Sequence, residues 1–223
     1  MLFRFDEIPS TQDTLREYYR NQSAAFGDAV TAESQTRGRG RYGRNFHSPR
    51  GSGLYLSILL PYRETDRLTV RAAAAVITAI EEVTGIAPDV KWVNDLYLGG
   101  RKIAGILAEA LVDETGNPGA VILGVGINLT EPPGGYPEEI RGTAGALLSP
   151  ALRSALSGQA FALLKKSLTA ALLDKLKELG SLGGEEAQIA LYRSRLINPS
   201  EVPPGALDGE LPPAAPASAG PDR

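Results

Sequence analysis

The sequence predicts an α/β (α+β) domain. Three observations support this class: segments with helical periodicity recur along the chain, short apolar segments typical of strands lie between them, and glycine or proline residues separate the segments. The chain has 223 residues, of which 43% are hydrophobic and 22% are charged. This length can bury one good core, or a core with a small appendage.

The first predicted helix begins after Ser10 and runs to about Arg20. Ser10 can cap it, and Asp13 follows three residues later in the arrangement of a capping box. Residues 29–33 are short and apolar enough for a strand. Residues 54–60 form a stronger strand candidate, which ends before a proline.

The second predicted helix covers residues 69–84, where alanine and larger apolar residues recur at helical spacing, and Gly85 ends it. A short strand at residues 90–93 follows. Gly99 and Gly100 separate two further apolar segments, and paired glycines at such a place are typical of a tight hairpin. The two segments are residues 96–98 and residues 102–111.

The second half of the chain begins with a predicted turn at residues 113–119, which leads into a strand at residues 120–129. A third helix is predicted at about residues 160–179 because leucines recur on one face. The character of the sequence changes at residues 199–223, which hold seven prolines and many small residues. We expect a flexible tail there.

Residues 35–44, which we call the Arg/Gly loop, are the most informative stretch. Four arginines alternate with three glycines, and no acidic residue lies between Ser34 and Arg50. Arginine suits phosphate and carboxylate oxygens, and glycine lets the backbone approach a ligand closely. The pattern favours an anion-binding loop that orders around its ligand. A solvated basic loop and a nucleic-acid contact remain as alternatives.

Residues 38–43 formally match the dinucleotide-binding pattern of three glycines. We reject that interpretation because the pattern requires a helix that begins within the loop, and residues 44–49 are a poor helix start. A disordered, arginine-rich RNA-binding segment is also disfavoured, since the loop lies between two credible strands.

Three other stretches have both a structural and a functional interpretation. Trp92 is equally compatible with the hydrophobic core and with a ligand-binding site. The Asn94-Asp95 pair fits a turn, but it also fits contacts to a ribose, an adenine edge or a metal-bound water. Lys102, just past the predicted hairpin, is either solvated or held over a ligand. The glycines of residues 124–126 indicate either close backbone approach or plain strand packing.

Composition excludes several function classes. The chain has no cysteine and a single histidine, His47, so disulfides, thiolate catalysis and histidine clusters are excluded. The net charge of −3 does not favour general nucleic-acid binding. The sequence contains neither an 18-residue apolar run nor the apolar core of a signal peptide at its N-terminus. We therefore expect a cytoplasmic protein without a membrane span.

In order along the chain, these motifs resemble the biotin protein ligase family over residues 5–180. Each motif is weak alone, but their order and spacing are specific. The matching stretches are Ser10-Thr11, Gln35 with residues 38–41, Ser48-Pro49, residues 54–57, Lys91-Trp92, Asn94-Asp95, residues 102–107 with Glu109, and residues 124–129.

The resemblance implies a mixed β-sheet with flanking helices, of the class II synthetase-like type. It implies that the biotin carboxylate attacks the α-phosphorus of ATP, giving biotinyl-5′-adenylate and pyrophosphate. A lysine of a biotin carboxyl carrier protein, a subunit of acetyl-CoA carboxylase, then attacks the anhydride and releases AMP. Mg²⁺ should accompany ATP.

The resemblance also implies roles for individual residues. The catalytic set comprises Lys102, which would bridge the biotin carboxylate and the α-phosphate, with Arg39 and Arg41. Ser10, Thr11 and Gln35 would bond the biotin head and valeryl region, Gly38 and Gly40 belong to the Arg/Gly loop, and Gly105 would line the biotin pocket. Trp92, Asn94 and Asn128 would lie by adenine and ribose, and Asp95 is a candidate helper for the metal.

The resemblance implies a catalytic domain at residues 1–180, a short connecting segment at residues 181–198 and the flexible tail at residues 199–223. Neither a DNA-binding helix-turn-helix nor the family's small C-terminal β-barrel is recognisable, so DNA is not an expected partner and activity could be weakened. A homodimer is compatible with the family. The alternatives are a lipoate ligase or octanoyl transferase, a noncatalytic biotin- or nucleotide-binding protein and, more distantly, a nucleic-acid-binding protein.

Overall fold

One mixed sheet organises the protein. The computed structural model describes residues 1–62, 67–113, 116–179 and 184–207. Within them, seven strands have the order β1-β2-β3-β7-β6-β5-β4. β1 and β2 are parallel, and every other neighbouring pair is antiparallel. The strands are β1 (Leu2–Ile8), β2 (Ala29–Gln35), β3 (Gly53–Pro61), β4 (Asp89–Lys91), β5 (Asp95–Leu98), β6 (Arg101–Val112) and β7 (Pro118–Asn128).

Helices flank this sheet. In the described residues they are α1 (Thr11–Arg20), α2 (Leu68–Thr84), α3 (Glu138–Arg141), α4 (Pro150–Ala155), α5 (Gly158–Glu178) and α6 (Glu185–Ser194). Single 3₁₀ turns occur at Arg41–Gly43 and Pro199–Glu201. The predicted α1, α2 and α5 are confirmed, whereas α3, α4, α6 and strand β1 were not predicted.

Two helix ends and one hairpin have the capping and turn residues that the sequence predicted. The Ser10 side chain accepts a hydrogen bond from the Asp13 backbone N–H and so caps α1. α2 ends at Gly85, whose φ of 69° lies in the left-handed region. Gly99 and Gly100 have φ values of 56° and 76°, as a two-residue hairpin between β5 and β6 requires.

The core has two layers because both faces of the sheet are covered. α2, α5 and α6 pack on one face, and α1 packs on the other against β2, β3 and β7. Side chains alternate along β3, so Leu56 and Ile58 belong to the larger core while Leu59 joins Leu15 of α1 in the smaller one. This explains why β3 is buried over nearly its whole length.

The C-terminal region is more structured than its composition predicted. Helix α6 occupies much of the predicted connecting segment, and its Tyr192 is fully buried. In the predicted tail, Ala206 is only 2% exposed, and the Leu207 carbonyl oxygen accepts hydrogen bonds from Arg67 and Arg193. These contacts hold the first part of the proline-rich segment against the domain. Residues 208–223 of the predicted tail lie outside the described residues, and the division into domains stays a prediction.

One pair of substitutions tests the helix assignment of α5. The Ser157 hydroxyl accepts a hydrogen bond from the Ala160 backbone N–H at 3.1 Å and caps this helix, whereas Ser167 is exposed in its middle. We expect Ser157→Ala to lower the free energy of unfolding by about 1 kcal/mol. Ser167→Ala should leave it unchanged or raise it by up to about 0.5 kcal/mol. Urea unfolding measures both, and equal effects would contradict the assignment.

Candidate active site

A cavity of about 470 Å³ lies on the α1 face of the sheet. Its floor consists of neighbouring strand positions that carry little or no side chain. Gly105 of β6 lies opposite Gly126 of β7, and Gly124 lies opposite Ser57 of β3. The glycines therefore leave the surface of the sheet uncovered here, so that side chains from other elements or a ligand can approach the backbone.

Two side chains from outside the sheet lie close over this floor. A Cβ atom on Gly126 would come within 2.5 Å of the Phe46 ring, and one on Gly105 within 3.3 Å. A Cβ atom on Gly124 would lie 3.2 Å from the side-chain carbons of Gln12. The glycines are therefore needed for this close approach, as one of the two interpretations predicted.

One end of the cavity is formed by residues at the start of α1 and the end of β2. Gln35 Oε1 accepts hydrogen bonds from the Thr11 backbone N–H at 2.8 Å and from its hydroxyl at 3.1 Å. Gln35 Nε2 donates to the Ser48 hydroxyl at 2.8 Å. Ser10 is fully buried beside them. The hydrogen bonds among Thr11, Gln35 and Ser48 fix the orientation of the Gln35 amide.

The Arg/Gly loop is held in a hairpin-like shape. The Phe46 backbone N–H donates to the Gly38 carbonyl oxygen at 2.9 Å, and the Gly40 N–H donates to the Arg44 carbonyl oxygen at 2.8 Å. A Cβ atom on Gly38 would lie only 2.3 Å from the Phe46 carbonyl oxygen. Gly38 therefore shapes the loop. It is not among the residues that line the cavity, and its predicted part in ligand binding stays a prediction.

Arg39 is engaged by carboxylates, which the sequence did not predict. Its guanidinium lies 2.9 Å from Asp13 Oδ1 and 2.6 Å from Glu109 Oε1. Arg16 pairs with the same two carboxylates at 2.7 and 3.0 Å. These four charges connect the Arg/Gly loop to α1 and β6. The predicted contact of Arg39 with phosphate would require the guanidinium to leave two acidic partners.

Arg41 has a different environment. Its guanidinium donates to Asn94 Oδ1 at 3.0 Å and to the Tyr42 hydroxyl at 3.0 Å, both neutral groups. Asn94 in turn donates to the Ile106 carbonyl oxygen at 3.0 Å, which fixes its amide. Among the residues that the structure describes, no carboxylate lies within ion-pair distance of Arg41. Its charge is therefore available to an anion in the cavity.

Lys102 lies at the cavity wall near the start of β6. Its Nζ is 2.7 Å from Asp95 Oδ1, and the two side chains are 33% and 26% exposed. The hairpin places this lysine beside the cavity with about a third of its side chain exposed, and its role toward a ligand stays a prediction. The lining contains the cations Arg39, Arg41, Arg44 and Lys102 and the single carboxylate of Asp95.

A smaller cavity of about 90 Å³ adjoins Lys102. Asn128 lines this smaller space and does not line the main cavity. Asn128 Nδ2 and the Tyr136 hydroxyl both donate to the Gly145 carbonyl oxygen, at 3.0 and 2.8 Å. Burial raises the pKa of Tyr136 to about 12, so its hydroxyl stays a donor near neutral pH.

The structure thus brings most predicted site residues together around one space. Those that line the main cavity are Ser10, Thr11, Gln35, Arg39, Gly40, Arg41, Trp92, Asn94, Asp95, Lys102 and Gly105. Trp92 also packs edge-on against Tyr192, so it takes part in core packing as well as in the cavity lining. The lining residues that were not predicted include Gln12, Tyr42, Arg44, Phe46, Tyr97 and Thr143.

Two further properties concern metals and membranes. The described residues contain no group of three or more histidine, cysteine or acidic side chains that could hold a metal ion. Within the same residues, none of the helices combines the length and apolar character that crossing a bilayer requires.

A cationic cavity on a mixed sheet, closed by an arginine- and glycine-rich loop, defines a site for joining or activating anionic ligands. A model of the Biotin/lipoate A/B protein ligase family matches residues 4–128, which is more than half of the chain. The chain belongs to this family.

Individual relatives agree with the family assignment. The chain is 41% identical over 150 residues to the Bifunctional ligase/repressor BirA of Bacillus subtilis, covering 66% of this chain and 46% of the relative. It is 34% identical over 130 residues to the Biotin--[acetyl-CoA-carboxylase] ligase of Mycobacterium tuberculosis, covering 55% and 45%. The chain therefore spans less than half of the length of either relative.

The fold is shared with solved structures. The biotin protein ligase from Aquifex aeolicus, in complex with biotin and ATP, superposes with a TM-score of 0.68. The similarity covers 88% of this chain and 78% of that one, at 29% identity. The predicted fold class is confirmed.

Proposed function

We propose that this protein is an ATP-dependent, AMP-forming biotin ligase. It would activate biotin as biotinyl-5′-adenylate and transfer it to a lysine of a biotin carboxyl carrier protein. The observation that carries this proposal is the cavity itself, where Lys102 and Arg41 lie together beside a glycine floor. Relatives named as biotin ligases, and a related structure with biotin and ATP, support the same substrates.

The first step joins two anions, so the site must reduce their repulsion. The biotin carboxylate oxygen would attack the α-phosphorus, the bond from that phosphorus to the bridging oxygen would break, and pyrophosphate would leave. Lys102 would contact both the carboxylate and the α-phosphate and stabilise the charge of the transition state. The ion pair with Asp95 at 2.7 Å keeps the ammonium at the cavity wall, although this contact lacks the angles of a hydrogen bond.

Arg41 and Arg39 would divide two tasks. Arg41 faces only neutral partners in the described part of the chain, so we assign it to phosphate binding. Arg39 is bound by Asp13 and Glu109, so we assign it to holding the loop against the sheet. This division refines the equal catalytic roles expected from the sequence.

Mg²⁺ would enter with ATP. A magnesium ion in such sites is held largely by phosphates and water, with one or two carboxylates. Among the described residues, Asp95 is the one carboxylate in the cavity lining, so we assign it as the protein group nearest the metal. Bound Mg²⁺ would neutralise phosphate charge.

In the second step, a carrier lysine would attack the carbonyl carbon of the mixed anhydride and AMP would leave. The acetyl-CoA carboxylase subunit stays the expected acceptor. The absence of a DNA partner, the cytoplasmic location and the possibility of a homodimer stay predictions.

Closure of the Arg/Gly loop over the adenylate would keep water from a reactive anhydride. Trypsin tests this, because it cleaves after arginine and the loop has four. We expect biotin with Mg-ATP to slow cleavage within residues 37–44. Cleavage after the exposed Arg20, at the end of α1, should not change and serves as the control. Equal loop cleavage in both states would contradict closure.

The full reaction tests the proposed function. Purified protein, biotin, Mg-ATP and an apo carrier domain are mixed, and pyrophosphate and the carrier mass are measured. We expect pyrophosphate and a carrier mass increase of one biotin, with no such increase when lipoate replaces biotin. Binding of biotin with neither signal would contradict the ligase and favour a noncatalytic binding protein.

A further inference from the structure

The chain segment that follows α6 pairs with strand β4, which lies at the edge of the sheet. The Val90 backbone N–H donates to the Arg195 carbonyl oxygen at 2.8 Å, and the Ile197 N–H donates to the Val90 carbonyl oxygen at 3.0 Å. β4 has only three residues, and its other neighbour is β5. Residues 195–198, which we call the C-terminal segment, therefore cover the free edge of a short strand.

The C-terminal region also bonds the loop between β4 and β5. This loop carries Trp92 and Asn94, and both line the main cavity. Asn198 Oδ1 accepts a hydrogen bond from the Trp92 backbone N–H at 2.8 Å. The hydroxyl of Tyr192, on α6, donates to the Val93 carbonyl oxygen at 3.3 Å. Residues that lie 99 and 106 positions further along the chain thus hold backbone groups of a loop in the site.

The orientation of the Asn198 amide follows from its partner. The Trp92 backbone N–H can only donate, so the amide oxygen must face it. Asn198 Nδ2 is buried and has no hydrogen-bond partner among the described residues. The oxygen is therefore the part of this side chain that the loop uses, and a carboxylate at the same position would supply the same acceptor.

The loop connects Asn198 to a cation of the site. The Asn94 carbonyl oxygen accepts from the Ile106 N–H at 2.9 Å, and the Asn94 amide donates to the Ile106 carbonyl oxygen at 3.0 Å. Asn94 Oδ1 accepts from the Arg41 guanidinium at 3.0 Å. β6 thus holds the loop at Asn94, and Asn198 holds it at Trp92. Loss of the second attachment would leave Asn94, and with it Arg41, less precisely placed.

We propose that Asn198 is a positioning residue for adenylation, whose side-chain oxygen holds the loop that presents Asn94 to Arg41. This inference rests on the proposed function, in which Arg41 binds phosphate. A displacement of about 1 Å at a catalytic site can cost about 10²-fold in rate. The sequence predicted only a connecting segment over residues 181–198, so the inference gives the end of that segment a part in the reaction.

The test compares two substitutions of Asn198. Asn198→Leu keeps most of the side-chain volume without the acceptor, and it should slow single-turnover pyrophosphate release at saturating Mg-ATP by about 10- to 100-fold. Asn198→Asp keeps the acceptor and should stay within about threefold of wild type. Biotin affinity, measured by calorimetry without ATP, should be unchanged in both variants, because Thr11 and Gln35 bond each other and Ser48 rather than this loop.

Fluorescence gives a second readout, because Trp92 is the only tryptophan of the chain. Asn198→Leu should shift its emission maximum in the folded protein, whereas Asn198→Asp should not. The matched control is Asn21→Leu, which changes an exposed asparagine after α1 and should leave the rate, the affinity and the emission unchanged. Asn198→Ala provides a further variant without the acceptor if Asn198→Leu does not fold, as judged by thermal unfolding.

The outcomes separate the inference from the proposed function. A wild-type rate in the variant without the acceptor, an equal loss of rate in Asn198→Asp, or a parallel loss of biotin affinity would overturn the inference and leave the ligase proposal intact. Absence of biotin-dependent pyrophosphate release in wild type would overturn both.

Discussion

Lys102→Met should lower the rate of biotin-dependent pyrophosphate release by about 10²–10³, the loss typical when one group that stabilises transition-state charge is removed. Lys102 provides a positive charge at the cavity wall, where the attacking carboxylate and the α-phosphate would meet. Methionine keeps most of the side-chain volume, so the cavity should retain its shape. Single-turnover measurement of pyrophosphate separates this effect from substrate binding.

The partner of Lys102 requires its own control, because Lys102→Met leaves Asp95 without its ion pair. The double variant Asp95→Asn/Lys102→Met removes both charges, and we expect it to be as slow as Lys102→Met alone. Lys166→Met removes an exposed lysine of α5 and should leave the rate unchanged. A rate within threefold of wild type for Lys102→Met would contradict the proposed role of Lys102. Recovery of the rate in the double variant would show that the unpaired Asp95 carboxylate, and not the missing ammonium, causes the loss.

Gly38→Ala should reduce pyrophosphate release by about 10²-fold, because a displacement of about 1 Å at a catalytic site can cost that much. The new Cβ atom would lie 2.3 Å from the Phe46 carbonyl oxygen and 2.6 Å from the Ser48 hydroxyl. The Phe46 carbonyl is a backbone group and cannot rotate away as a side chain can. The hairpin-like shape of the Arg/Gly loop therefore cannot persist. The loop carries Arg39 and Arg41 and would misplace both.

The matched control for this variant is Gly158→Ala. A Cβ atom on Gly158 meets nothing within 4 Å, and the residue begins α5. We expect wild-type activity for Gly158→Ala, and a free energy of unfolding that is unchanged or raised by up to about 1 kcal/mol. For Gly38→Ala, overpacking should cost about 1–3 kcal/mol of the free energy of unfolding, measured in urea. Unchanged pyrophosphate release by Gly38→Ala would show that the loop geometry described here is not required.

The sequence predicted those parts of the fold that depend on local chemistry. The Ser10 cap, the Gly85 helix end and the Gly99-Gly100 hairpin each involve residues near one another in the chain. β1 was not predicted. It lies at the edge of the sheet, and none of its residues is fully buried, so its sequence lacks the apolar run that marks β3.

The site was predictable where motifs mark it and not where distant residues determine it. The arginines, Lys102 and the glycines are visible as patterns, and most of them line the cavity. One of the two carboxylate partners of Arg39, however, is Glu109, which lies 70 residues away. The orientation of Gln12 likewise depends on β6, more than 90 residues further along the chain. Such pairings arise only from the register of the folded sheet.

We propose above that this cavity activates biotin by adenylation. The most direct test is biotin-dependent exchange of labelled pyrophosphate into ATP, because exchange reports reversible adenylate formation and needs no carrier protein. Wild type should show exchange that requires biotin and Mg-ATP, and Lys102→Met should slow this exchange by about 10²–10³. Measurable biotin binding without any exchange would contradict the account.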